Sequence, residues 1–304
     1  MFSLTFIAHG AKLTDENQRD IEEFVSGKLQ VSVLAKTELS PNRVIDFSVE
    51  TNVPDVVLSL VKKEAEIQNA SYDIIFQKTN ERKNKKLFIF DMDSTLIYQE
   101  VIELIAAYAN IEDKVAEITE RAMNGELDFN ESLRERVLLL RGIDASTLWE
   151  ELKLKIRITK GARELCKALK KLGVVMGVCS GGFIPLASFV KEELGLDYAF
   201  ANTLGVDDNS RLDGTTRGYI VNGEKKAELL LEIAASHNID PATAVAVGDG
   251  ANDLKMMAAA GWGVAWNAKP KVQKEAPSCL NSDSLQDILY IMGYNDSEIA
   301  SLSA

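Results

Sequence analysis

Histidine is nearly missing from this chain, which has two, and cysteine is sparse at three. His9 and His237 stand far apart, so a histidine-based mechanism or histidine metal cage has too few members, and a structural role is expected for both. Cys166, Cys179 and Cys279 are scattered without C-x-x-C spacing, which speaks against a disulfide framework or a cysteine zinc site and suits a reducing compartment. Cys179 falls in an apolar run and reads as small core filler rather than a thiol nucleophile. Positive charge is also in short supply. A net charge of −12 argues against a nucleic-acid surface and favours solubility. No run approaches the roughly 18 apolar residues of a membrane span, and neither end carries a basic-then-apolar leader. A cytoplasmic protein without nucleic-acid or membrane partners is therefore expected. There are no repeats and no low-complexity segments. What is present is an ordinary globular mixture, 46% hydrophobic and 26% charged over 304 residues, which is enough for two domains.

The pattern of the first 80 residues predicts β-α-β-β-α-β. Residues 3–10 read as a strand, 14–27 as an amphipathic helix capped by Thr14, and 30–39 and 43–51 as strands split by Ser40-Pro41-Asn42. A helix follows from Val53-Pro54-Asp55 to about Ala65, then a strand at Tyr72–Gln77. That order is ferredoxin-like α+β. The charged run Glu81–Lys86 is expected to be a linker with few contacts. From Leu87 to the end the pattern alternates strand and helix, which predicts a doubly wound, mostly parallel α/β sheet. Later strands are expected at Val174–Cys179, 198–202, Ala244–Val247 and Gly263–Trp266, with a hairpin across 203–221. Residues 99–158 interrupt the alternation with helical spacing alone, and are expected to form a helical cap over the strand ends.

Chemistry concentrates at the ends of three expected strands. Leu87-Phe88-Ile89-Phe90 reads as a buried strand, and Asp91-Met92-Asp93-Ser94-Thr95 follows it at once. Asp91 and Asp93 can converge on a hard cation such as Mg²⁺, or one can act as a nucleophile; an Asx turn with a Ser/Thr cap explains the same letters. Ser180-Gly181-Gly182 ends the next strand and offers a hydroxyl and close-approaching backbone N–H groups to an oxyanion, although a plain turn also uses Ser-Gly. Gly248-Asp249-Gly250-Ala251-Asn252-Asp253 ends a third, where Asp249 can complete an oxygen-rich site and Asn252 and Asp253 can support it, or where Asp-Gly turn chemistry suffices. Lys226 opens the preceding helix beside Lys225, and position alone does not separate a phosphate-neutralising lysine from a surface one. Each motif is inconclusive alone. Their order at successive strand ends points to phosphoryl transfer.

These four motifs resemble those of the haloacid dehalogenase superfamily. From about Leu87 to about residue 290 the chain also resembles the phosphoserine phosphatase family within it, through Glu100, Met123, Phe129, Ser132-Leu133-Arg134-Glu135-Arg136 and Cys179-Ser180-Gly181-Gly182-Phe183. The resemblance implies that Asp91 takes the phosphoryl group and that Asp93 serves as acid and then base. It implies Mg²⁺ held by the Asp91 side chain, the Asp93 backbone carbonyl and Asp249. Ser180, Gly181 N–H, Lys226 and Asn252 would hold phosphate, while Glu100 meets the substrate ammonium and Arg136 its carboxylate. The implied reaction is hydrolysis of O-phospho-L-serine, the last step of serine biosynthesis. Residues 1–80 resemble ACT-type units by element order alone, which implies amino-acid binding or a homodimer. Two other readings remain open: transfer of the phosphoryl group to an amino-acid hydroxyl such as that of homoserine, and a non-catalytic amino-acid-responsive protein.

Overall fold

The computed structural model describes residues 1–68 and 71–304, apart from the Met123 side chain, so the expectation for Met123 lies outside the described residues. The first unit contains β1 (Phe2–Ala8), α1 (Asp15–Glu23), β2 (Ser32–Ser40), β3 (Val44–Glu50), α2 (Pro54–Gln68) and β4 (Tyr72–Lys78). Its strands form an antiparallel sheet ordered β2-β3-β1-β4. Thr14 caps α1 reciprocally with Asn17, both bonds being 3.1 Å. The helix expected to reach residue 27 leaves α geometry at Phe24 and closes in one π turn, Phe24–Lys28, with Phe24 and Val25 buried.

Alternation along β1 explains how this unit meets the next. Leu4, Phe6 and Ala8 face its own helices, while Ile7 joins the core of the second unit. Ser3 and Thr5 lie on that same outer face, fully buried. The expected linker is where the structure differs most from the sequence reading. Arg82 is 6% exposed, and donates to Asp46 Oδ2 at 2.8 Å, Ser3 Oγ at 2.7 Å and the Ile291 carbonyl at 3.3 Å. A buried guanidinium must occupy its donors, and here both units supply acceptors. Further ties are Arg43 to both Asp287 oxygens and Asp73 to Asn281, the latter through bonds of 2.6 and 2.8 Å.

The second unit opens with β5 (Leu87–Phe90) and then the cap helices α3 (Val101–Ala109), α4 (Glu112–Met123), α5 (Phe129–Leu139) and α6 (Ala145–Lys153). The α/β pattern resumes with α7 (Ala162–Lys171), β6 (Val175–Phe183), α8 (Ile184–Leu194), β7 (Tyr198–Val206), β8 (Leu212–Arg217) and α9 (Gly223–Ser236). It finishes with β9 (Ala244–Gly248), α10 (Leu254–Ala259), β10 (Trp262–Trp266), α11 (Pro270–Glu275), β11 (Ser278–Leu280), α12 (Ile288–Ile291) and α13 (Asp296–Ser303). The sheet order is β11-β10-β9-β5-β6-β7-β8, parallel except for the β7/β8 hairpin. The short edge strand β11 was not expected from the sequence; three residues are too few to carry a periodic signal.

β5 explains its own apolar run: Leu87 and Ile89 enter the core on one face, Phe88 and Phe90 that on the other. It pairs with β6 on one side and β9 on the other, so the winding direction reverses between β5 and β9. A crevice opens beyond the carboxyl ends of strands at such a reversal. The three motifs sit there.

Candidate active site

Asp91 follows β5 and is held in line with β9, its N–H donating to the Val247 carbonyl at 2.8 Å. Its Oδ1 accepts from the Met92 N–H at 2.7 Å and lies 2.8 Å from Lys226 Nζ. Both contacts fall on one oxygen, Oδ1. The chain then turns through Ser94 at a φ of +52°, in the left-handed region, which returns Ser94 Oγ to within 2.6 Å of Glu100 Oε1. Asp93 Oδ2 accepts from the Val101 N–H at 3.2 Å, at the start of α3. Its other oxygen, Oδ1, is buried with no hydrogen-bond partner.

Lys226 is fully buried, whereas neighbouring Lys225 reaches the surface acids Glu228 and Glu232. Asn222 makes this possible by capping α9, its side chain accepting from the Lys225 N–H at 3.0 Å. Lys226 Nζ also lies 2.7 Å from Asp253 Oδ1, while Asp253 Oδ2 accepts from the Gly250 N–H at 3.0 Å. Asp253 thus anchors the lysine and shapes the third turn at once. Gly248 has to be glycine here, because a Cβ would stand 2.3 Å from Asp253 Oδ2. Asp249 Oδ1 accepts from Thr95 Oγ1 at 3.2 Å, which joins the first and third turns. Asn252 is half-buried against Gly250, and Ser180, inside β6, which runs past the expected stop at Cys179 to Phe183, is fully buried, its Oγ accepting from the Gly182 N–H at 2.9 Å.

The electrostatics follow from crowding acids with little water. Burial, then Asp253, pushes Asp91 well above the usual carboxylate range, against the pull of Lys226. Burial, then Glu100, raises Asp93 to about 8. Burial, then Asp253 and Glu100, raises Asp249 to about 6. For Lys226 burial acts downward, but the carboxylates of Asp253 and Asp91 outweigh it and raise its pKa. Burial takes the Cys179 thiol up to about 12, in keeping with its role as filler.

Oxygens of Asp91, Asp249 and Asp253 all lie within 4.8 Å of one another. Crowded anionic oxygens, with two of the three carboxylates raised, are a donor set that suits a hard divalent cation. The structure therefore brings together Asp91, Asp249 and Lys226, with Asp93 and Ser180 beside them. The Asp93 side chain stands outside the acid cluster, and Asp253 stands inside it.

The cap supplies the rest. Phe129, the first residue of α5, lies over Gly181, where a Cβ would meet its ring at 3.0 Å. Asn130 Oδ1 accepts from Asn222 Nδ2 at 3.2 Å, which ties the cap to the lysine helix. Arg136 Nη2 donates to Thr119 Oγ1 at 3.0 Å, but its Nε is buried with no partner, as is Ser132 Oγ. Burial lowers the Arg136 pKa and the nearby Glu100 opposes it. Asp253, Thr95 and Thr119 were not singled out as site residues from sequence. Sequence reasoning assigned Asp253 only a supporting role behind Asp249, whereas the structure places its carboxylate inside the acid cluster.

A family model described as haloacid dehalogenase-like hydrolase matches residues 85–261. A relative from Saccharomyces cerevisiae described as phosphoserine phosphatase is 51% identical over 303 residues, covering 98% of each chain. Among solved structures, a hydrolase of the same family from Salmonella enterica serovar Typhi superposes with a TM-score of 0.83 at 28% identity, covering 96% of this chain and 99% of that one. A second structure, described as a phospho-aspartyl intermediate analogue of phosphoserine phosphatase, is 44% identical with a TM-score of 0.63, covering 68% of this chain and 98% of its own. The chain belongs to the haloacid dehalogenase-like hydrolases and, within them, to the phosphoserine phosphatases.

Proposed function

We propose that the chain hydrolyses O-phospho-L-serine to L-serine and phosphate through an aspartyl-phosphate on Asp91, as the last step of serine biosynthesis. The observation that carries this reading is two buried, unpartnered atoms, Asp93 Oδ1 beside the acid cluster and Arg136 Nε in the cap. Buried polar groups are normally satisfied, and a substrate group at each of these two would satisfy them.

In the first step Asp91 Oδ2 bonds to phosphorus as the bond from phosphorus to the serine oxygen breaks. Asp93, raised to about 8 and so carrying a proton at neutral pH, gives that proton to the departing oxygen. In the second step Asp93 takes a proton from water as the water oxygen bonds to phosphorus and the Asp91 bond breaks. Lys226, held between Asp91 and Asp253, keeps its positive charge against the phosphoryl oxygens throughout. Ser180, Gly181 N–H and Asn252 hold the phosphate. Glu100 meets the ammonium and Arg136 the carboxylate, one charge of each sign for a zwitterion. Mg²⁺, bound by Asp91, Asp249 and the Asp93 carbonyl, would neutralise charge on the phosphoryl group.

Residues 1–80 are proposed as a separate ACT-like unit, 81–86 as its junction, and 87–304 as the phosphatase unit with its cap at about 99–158. A homodimer is proposed through the first unit, supported by edge strand β2, whose residues Ser32–Glu38 are all exposed, including Val33 at 46% and Leu34 at 50%. A cytoplasmic location is proposed on the free cysteines; no helix among the described residues is long and apolar enough to cross a membrane.

The deciding experiment is phosphate release from a panel of phosphomonoesters with and without Mg²⁺, plus added L-serine. Phosphoserine should be the best substrate, Mg²⁺ should be required, and L-serine should inhibit. Equal turnover of all esters would overturn the substrate assignment.

A further inference from the structure

The parallel pairing of β6 with β7 is irregular at the site. Cys179 pairs with Phe200, but the next partners are Phe183 and Asn202, so four residues advance on β6 against two on β7. Ser180, Gly181 and Gly182 bulge out of the ladder, which leaves the half-buried Gly181 carbonyl without a strand partner. A carbonyl taken out of the ladder needs another donor. Asn202, fully buried, supplies one from its side chain, Nδ2 donating to the Gly181 oxygen at 2.8 Å. The other end of the same peptide is held by Ser180 Oγ, which accepts from the Gly182 N–H. That bond also turns the Ser180 proton away, leaving it to be donated. Asn202 Oδ1 in turn accepts from the Val221 N–H at 2.8 Å, one residue before the Asn222 cap of the lysine helix.

We propose that Asn202 is a positioning residue for phosphate: its amide clamps the Gly181–Gly182 peptide and the approach to Lys226 in one register, so that the Ser180 hydroxyl, the Gly181 N–H and the Lys226 ammonium address the same anion. The inference rests on the phosphatase reading above and adds a residue to it. Asparagine is a poor strand residue, and its presence among Tyr198-Ala199-Phe200-Ala201 is explained by this duty.

The test compares wild type, Asn202→Ala and Asn202→Asp. Asp keeps an acceptor for the Val221 N–H but loses the donor to Gly181. Phosphoserine kinetics are measured with inhibition by inorganic phosphate, which reports the anion end, and by L-serine, which reports the Glu100/Arg136 end. Both variants should lose on the order of 10- to 100-fold in kcat and bind inorganic phosphate about 10-fold more weakly, with the L-serine inhibition constant unchanged. Retention of phosphate affinity, equal losses at both ends, or failure of both variants to fold would each overturn the proposal in favour of a purely structural asparagine. If wild-type protein does not hydrolyse phosphoserine, the phosphatase reading fails separately. Direct titration with inorganic phosphate still tests the clamp.

Discussion

At the scale of single residues, the site is a set of charges that would be unstable without one another. Replacing Asp91 by asparagine keeps the shape and removes the proposed nucleophile, and kcat should fall by a factor on the order of 10³ to 10⁶, read as phosphate release in a single turnover. Arg136→Ala should raise KM for phosphoserine about 10- to 100-fold, the cost of a charged hydrogen bond, and leave KM for an aryl phosphate nearly unchanged. Equal losses on the two substrates would count against the carboxylate role. The titration behaviour gives a third expectation. Asp93 is raised to about 8 and Asp249 to about 6, with Asp91 also raised. In the unfolded chain these acids release their protons near pH 4, so between roughly pH 4 and 8 the folded state binds more protons than the unfolded one. Metal-free stability should therefore fall as pH rises through that window. Mg²⁺ competes with those protons, so it should raise the melting temperature more at pH 8 than at pH 5. A larger shift at pH 5 would refute this account of the acid cluster.

At the scale of elements, the strand ends bring the chemistry together and the glycines let them approach. The third turn has no room for a methyl group at Gly248, whose Cβ would displace the Asp253 carboxylate that anchors Lys226. Gly248→Ala should destabilise the fold by about 1–3 kcal/mol in urea titration and lower kcat with it. Gly10→Ala, where a Cβ would meet nothing within 4 Å, is the matched control and should change stability by no more than about 0.5 kcal/mol. The cap elements follow the same logic: Phe129 closes on a position that has no side chain, and the Asn130–Asn222 bond links that closure to the helix carrying Lys226.

At the scale of the whole molecule, two units of different architecture share a buried polar joint. Arg82 and Asp46 are both buried, and each is the main compensation for the other's charge. Arg82→Ala should cost about 3–5 kcal/mol in denaturant unfolding, because it leaves buried Asp46 without its cationic partner and with only the Thr5 hydroxyl as donor. Removing both charges in Arg82→Leu/Asp46→Val should cost much less. If the single and double variants are equally destabilised, the pair is not what sets the joint.

The amino-acid sequence by itself determined what depends on near neighbours. Unalternating Leu87–Phe90 specified a strand covered on both faces, the Asp and Gly-Asp-Gly segments specified where strands stop, and helical spacing over 99–158 marked a cap, whereas the strand expected to stop before Ser180-Gly181-Gly182 runs on through it to Phe183. Tertiary structure alone decided which polar groups meet. Lys226 and Lys225 are equal as letters, yet only the first points inward to Asp91 and Asp253. Asn202, Thr95 and Arg82 earned their partners from turns and strands 19 or more residues away. The reason is physical: a periodic pattern records which side of an element is dry, whereas a hydrogen bond or ion pair inside the protein needs a particular partner at about 3 Å, and only the folded chain supplies that distance.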